Sequence, residues 1–101
     1  MPDQSQFRIN AVAFKEGDAL IVQGIEYDIV AHAYDVTKLP QAFMRAVVDN
    51  MIITRHLGRA PFEGIKPAPE RFRSMFEKAD TEMRPLNKSE DWPDVAVRVM
   101  A

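Results

Sequence analysis

Residues 38–57, Lys-Leu-Pro-Gln-Ala-Phe-Met-Arg-Ala-Val-Val-Asp-Asn-Met-Ile-Ile-Thr-Arg-His-Leu, decide how this chain is read. Leu39, Phe43, Ala46, Val47, Asn50, Ile53 and Leu57 recur at steps of three and four, the spacing that stacks side chains along one face of an α-helix. That stripe is expected to face a core. Met44, Val48, Met51 and Ile52 form a second stripe beside it, more apolar surface than one small sheet can cover. These four are therefore the expected interface, with self-association as a homodimer the simplest way to bury them. Asp35 or Thr37 is placed to cap the helix, and Pro40 falls in its first turn, where a missing N–H costs nothing. Arg55 and His56 suit the last turn and Gly58 the C′ stop.

Upstream, the period changes from 3.6 to two. In residues 6–15, Phe7, Ile9, Ala11 and Ala13 alternate with Arg8, Asn10, Val12 and Phe14, the pattern of a strand. Glu16-Gly17-Asp18 interrupts it as a hairpin turn in which Gly17 takes a positive φ cheaply. Residues 19–23 read as a second strand. Gly24-Ile25-Glu26 bends the chain, and residues 27–33 read as a third, with Tyr27, Ile29, Ala31 and Ala33 on one face. Short turns between sequential strands predict an antiparallel meander.

Downstream of Gly58, the connector Pro61-Phe-Glu-Gly-Ile-Lys-Pro-Ala-Pro69 carries three prolines and two anchors, Phe62 and Ile65, so it is expected to lie down on the domain. A short helix begins at Pro69 and presents Phe72, Met75, Phe76 and Ala79. Residues 80–91 are polar and read as loose, like residues 1–5. Val95, Val97 and Val99 then mark a fourth strand. The predicted order β-β-β-α-α-β makes one α+β domain over residues 1–101: a three-stranded antiparallel sheet plus a C-terminal strand, with a long and a short helix packed on one face.

Composition excludes several classes. With 13 basic and 15 acidic residues the formal net charge is −2, so no overall field draws the chain to nucleic acid or an anionic membrane. There is no cysteine, which removes disulfides, thiolate nucleophiles and cysteine-bound zinc and suits a reducing, cytoplasmic setting. No signal peptide is indicated by the polar start Met-Pro-Asp-Gln-Ser-Gln, and no run is long and apolar enough to span a bilayer.

The segment Ile25-Glu-Tyr-Asp-Ile-Val-Ala-His-Ala, the long helix after it, and Pro61-Phe-Glu-Gly-Ile-Lys-Pro-Ala-Pro-Glu-Arg-Phe together resemble the HicB-like family over roughly residues 7–99. That family is the antitoxin side of HicA/HicB toxin–antitoxin pairs, and its core is a β-β-β-α-β domain described as a degenerate ribonuclease H-like fold. The resemblance implies a non-catalytic module that masks a small toxin-like partner sterically. Two departures stand out. The sequence stops at Ala101, directly after the fourth strand, without the DNA-binding segment that often follows the family's core, so autorepression by this chain is not expected. Its helix entry, Tyr34-Asp-Val-Thr-Lys-Leu-Pro-Gln-Ala, also replaces the family's Gly-containing acidic start.

The resemblance directs attention to carboxylates, because a ribonuclease H-like hydrolase converges several of them on divalent metal. Glu26, Asp28, Asp35 and Asp49 are the candidates for such a residual metal-dependent nuclease, and nothing in their spacing forces them together. His32 and His56 lack a metal-ligand spacing; His56 reads as a helix C-terminal cation. With four glycines and no serine in a nucleophile-elbow motif, neither a phosphate loop nor a serine nucleophile is indicated. Arg55, Arg59, Lys66, Arg71 and Arg73 offer a weak nucleic-acid reading, diluted by Glu63, Glu70 and Glu77. Met44, Met51 and Met75 suit either a core or an adaptable interface. The expectation is a protein-interaction module without catalytic residue, metal or cofactor.

Overall fold

In the computed structural model, residues 8–85 and 92–100 are described. The elements are β1 (Arg8–Glu16), β2 (Ala19–Gly24), β3 (Val30–Ala33), a 3₁₀ turn (Val36–Lys38), α1 (Leu39–His56), α2 (Glu70–Lys78), β4 (Thr81–Met83) and β5 (Asp94–Val99). They form an α+β domain around a mixed five-stranded sheet of order β3-β2-β1-β5-β4. The expected antiparallel meander β1-β2-β3 is present, and the C-terminal strand returns beside β1 in parallel, Ile9 opposite Val95 and Ala13 opposite Val99.

β1 is central, and its alternation governs both layers. Ile9, Ala11 and Ala13 face α1 and join Val22, Ala31, Ala33, Phe43, Val47, Val95 and Val97 in the larger core. Val12 and Phe14 point the other way, where Phe72, Met75, Phe76 and Ala79 of the α2 segment cover them together with Ile25 and Met100. Phe14 stacks on Phe72 at 5.9 Å between ring centroids. The two helices therefore lie on opposite faces, and the expectation of both on one face is corrected. The reason is visible in β1: a central strand that is apolar at both parities needs a cover on each side.

Two further corrections concern strands. Residues 80–91 are not loose throughout, since Thr81–Met83 forms the edge strand β4, antiparallel to β5; residues 86–91, and residues 1–5 of the same expectation, lie outside the described residues. β4 is held by Glu82, whose carboxylate lies 3.6 Å from Arg8, 3.3 Å from Arg84 and 3.9 Å from Arg98. The third strand starts at Val30, because residues 25–29 are spent on a bulge. There Gly24 N–H donates to Ile29 C=O at 2.8 Å, and Tyr27 leaves the sheet to stack on Phe62 at 4.7 Å.

Candidate docking surface on the outer face of α1

The helix α1 carries apolar side chains further than the sheet beneath it can cover them. Leu39, Pro40, Phe43, Met44 and Val47 are buried, but beyond Val47 only Thr54 is. Val48 and Met51 are half-buried at the margin of the core, whereas Ile52, Ile53 and Leu57 are 48%, 56% and 60% exposed. Polar side chains in this half satisfy themselves on the helix: Asn50 donates to Ala46 C=O at 2.8 Å, and the Thr54 hydroxyl reaches the Asn50 and Met51 carbonyls at 3.0 Å. The register thus departs from expectation at both ends. Met44, expected on the outer stripe, belongs to the core at 3% exposure, while Ile53 and Leu57, expected inside, are out. Of the four expected interface residues, Ile52 is exposed and Val48 and Met51 are half-exposed.

The segment after α1 builds the opposite wall. Gly58 ends the helix at φ 72°, as expected, and Arg59 N–H returns to Thr54 C=O at 2.9 Å. Phe62 is buried at φ 65°, a left-handed conformation costly for a non-glycine residue, and is held there by its stack on Tyr27. Further along, Asp28 N–H donates to Lys66 C=O at 2.7 Å and Ala68 N–H to Ile25 C=O at 3.1 Å. The connector lies on the domain as its prolines and anchors implied, and it fixes Arg59 and Pro61 beside α1.

Between these walls runs a groove of about 590 Å³ lined by Val48, Met51, Ile52, Arg55, Arg59, Pro61 and Trp92. Val48 and Trp92 also border a smaller recess of about 270 Å³ with Met44, Arg45, Asp49 and Pro85. Trp92 was not singled out from the sequence. It precedes β5 in the chain, and its neighbourhood to α1 follows from β5 pairing with β1, a long-range relation without local signature. Among the described residues, neither Arg55 nor Arg59 lies within ion-pair distance of a carboxylate.

The other candidate residues disperse. The Glu26 carboxylate accepts from Asn10, and Asp28 accepts from the Gln23 side chain at 2.8 Å. Asp35 caps the 3₁₀ turn, accepting from Thr37 N–H at 3.0 Å and Thr37 Oγ1 at 2.9 Å, and these bonds lower its pKa below 3.8. Asp49 is exposed beside the smaller recess. Among the described residues, no group of three His, Asp or Glu side chains is arranged to hold a metal ion. His32 is exposed on β3 and His56 is exposed at the end of α1. A shallow recess of about 560 Å³ near His32 is lined by Tyr34, Asp35, Lys38 and Arg45 among others. The basic set divides: Arg55 and Arg59 border the groove, whereas Arg71 and Arg73 ride on α2 across the sheet, with the Arg71 guanidinium 4.7 Å from the Phe72 ring. Met75 packs in the smaller core under α2.

No helix among the described residues is long and apolar enough to cross a membrane. Comparison of this chain with protein-family models, with curated proteins and with solved structures finds no match.

Proposed function

We propose that this chain is a non-catalytic protein-interaction module that recognises another polypeptide through the outer face of α1. One observation carries the reading: the half-exposed and exposed stripe Val48, Met51 and Ile52 lines a groove with Trp92 and Pro61, next to Ile53 and Leu57, which are also out. Apolar side chains gathered at a recess, with Arg55 and Arg59 among the residues that line it, suit a binding patch. The resemblance to the HicB-like family supports the same class of function, steric masking of a partner such as a small toxin-like protein. The chain order of three antiparallel strands, long helix and a last strand beside β1 is in keeping with it. A cytoplasmic location belongs to the proposal and rests on the cysteine-free composition.

The deciding experiment is solution mass by light scattering on the wild type and on Ile52→Glu, a position exposed enough for the substitution to leave the fold intact. A dimer that the substitution converts to a folded monomer makes the patch a self-association surface. A wild-type monomer leaves the patch for a different chain, and pull-down with the wild type but not with Ile52→Glu then identifies it. The absence of both self-association and a partner sensitive to Ile52 would overturn the reading.

A further inference from the structure

Resting on the interaction-module reading, we propose that the groove beside the C-terminal half of α1 receives an amphipathic helix of a partner protein whose apolar face is flanked by Asp or Glu residues. Among the described residues, the groove is lined by apolar side chains and by the guanidinium groups of Arg55 and Arg59. They approach it from two sides, one on α1 and the other on the segment that follows. Among the described residues no carboxylate pairs with either, and both border a surface that excludes water once filled. An acidic flank on the incoming helix supplies the complementary charge, and side chains at i, i+3 and i+4 supply the apolar contact.

A second copy of this chain is a poorer occupant. Antiparallel pairing of α1 with its two-fold mate about Asn50 sets Ile52 against Val48, which is favourable, but also sets Arg55 against Arg45 of the second copy. Asp49 lines the neighbouring recess with Arg45 and not this groove. An anionic bilayer is also disfavoured, because the site is recessed and the chain carries a formal net charge of −2.

Trp92 lines the groove and is the sole tryptophan, so its emission reports occupancy directly. The probes are two tryptophan-free synthetic peptides of about four helical turns, with the same Leu and Phe positions and either Glu or Lys on the remaining faces. Light scattering on the same samples gives the oligomeric state. The expected result is a monomer whose Trp92 emission shifts to the blue on saturable binding of the Glu peptide. The Lys peptide should bind about tenfold or more weakly, and the difference should shrink as salt is raised. The double variant Arg55→Glu/Arg59→Glu, at two exposed positions, should reverse the preference, while Ile52→Glu should weaken both peptides.

Equal binding of the two peptides, or a preference that the double charge reversal leaves unchanged, overturns the acidic-partner proposal. So does binding to phosphatidylserine vesicles without binding to either peptide. A wild-type dimer that Ile52→Glu dissociates also overturns it but leaves the interaction-module reading standing. A monomer that binds neither peptide, and has no partner sensitive to Ile52, removes both.

Discussion

Glu26 holds both donors of Asn10: its Oε1 accepts from the Asn10 backbone N–H at 2.7 Å and its Oε2 from the Asn10 side-chain amide at 2.8 Å. β2 ends at Gly24, and Ile25 N–H still reaches Asn10 C=O at 2.8 Å, so the carboxylate takes the place of the next strand residue in the ladder. Glu26→Ala is expected to cost about 1–3 kcal/mol, because it leaves a partly buried backbone donor without its acceptor. Urea unfolding measures the loss. A midpoint equal to that of the wild type would show that water replaces the carboxylate fully.

Gly24 sits where no side chain fits. A Cβ there would lie 2.6 Å from Tyr27 C=O, 3.2 Å from Ile29 C=O and 3.2 Å from the Phe43 ring. Two of these neighbours are backbone in the bulge and the third is buried core, so none yields freely. Gly24→Ala should destabilise by about 1–3 kcal/mol or more, seen as a lower thermal midpoint. A neutral result would mean that the bulge rearranges at little cost.

Phe62→Ala removes a buried ring and the stack on Tyr27, for an expected loss of about 3–5 kcal/mol. Because Phe62 anchors the segment bearing Arg59 and Pro61, the variant should also show greater solvent quenching of Trp92 across the groove. Unchanged quenching in a folded variant would show that this wall stands without its anchor.

The rotation of α1 is open to a paired test. Met44→Ala should cost about 2–4 kcal/mol as a core truncation, whereas Ile53→Ala should stay within about 0.5 kcal/mol. The reverse order in urea would mean that the helix presents its other stripe to the sheet.

Asp35 provides a pH signature. Its folded pKa lies below 3.8 because the Thr37 backbone N–H, followed by the Thr37 hydroxyl, bonds the charged form. A depressed carboxyl pKa stabilises the fold above the unfolded value, and that contribution fades as pH falls through the folded value. Asp35→Ala should therefore melt below the wild type at pH 6, with the gap closing as the pH is taken below 3.8 towards the lower folded pKa. A gap independent of pH would assign the effect to something other than the carboxylate.

Local periodicity made the strand order β1-β2-β3, the long helix, the short helix and the return of Val95, Val97 and Val99 readable in advance, because each depends on neighbours within a few residues. Short β4 escaped that reading: Thr-Glu-Met has no period to detect, and its pairing rests on β5 and on the arginines gathered round Glu82. The outer stripe was legible as a surplus of apolar residues on α1, but its rotation was not. A helical wheel ranks faces by hydrophobicity, whereas burial is set by where the sheet ends, and so Met44 went in and Ile53 came out.

By itself, then, the sequence determined the α+β class, the elements that carry most of the core and the presence of more apolar helix surface than the domain covers. Tertiary structure alone decided that α2 crosses to the opposite face of the sheet, that Met44 is core, and that Trp92, Pro61, Arg55 and Arg59 meet beside Ile52. The division has one physical cause. Backbone period and turn chemistry act between near neighbours, while the choice of face and the shape of the groove come from contacts between residues far apart in the chain.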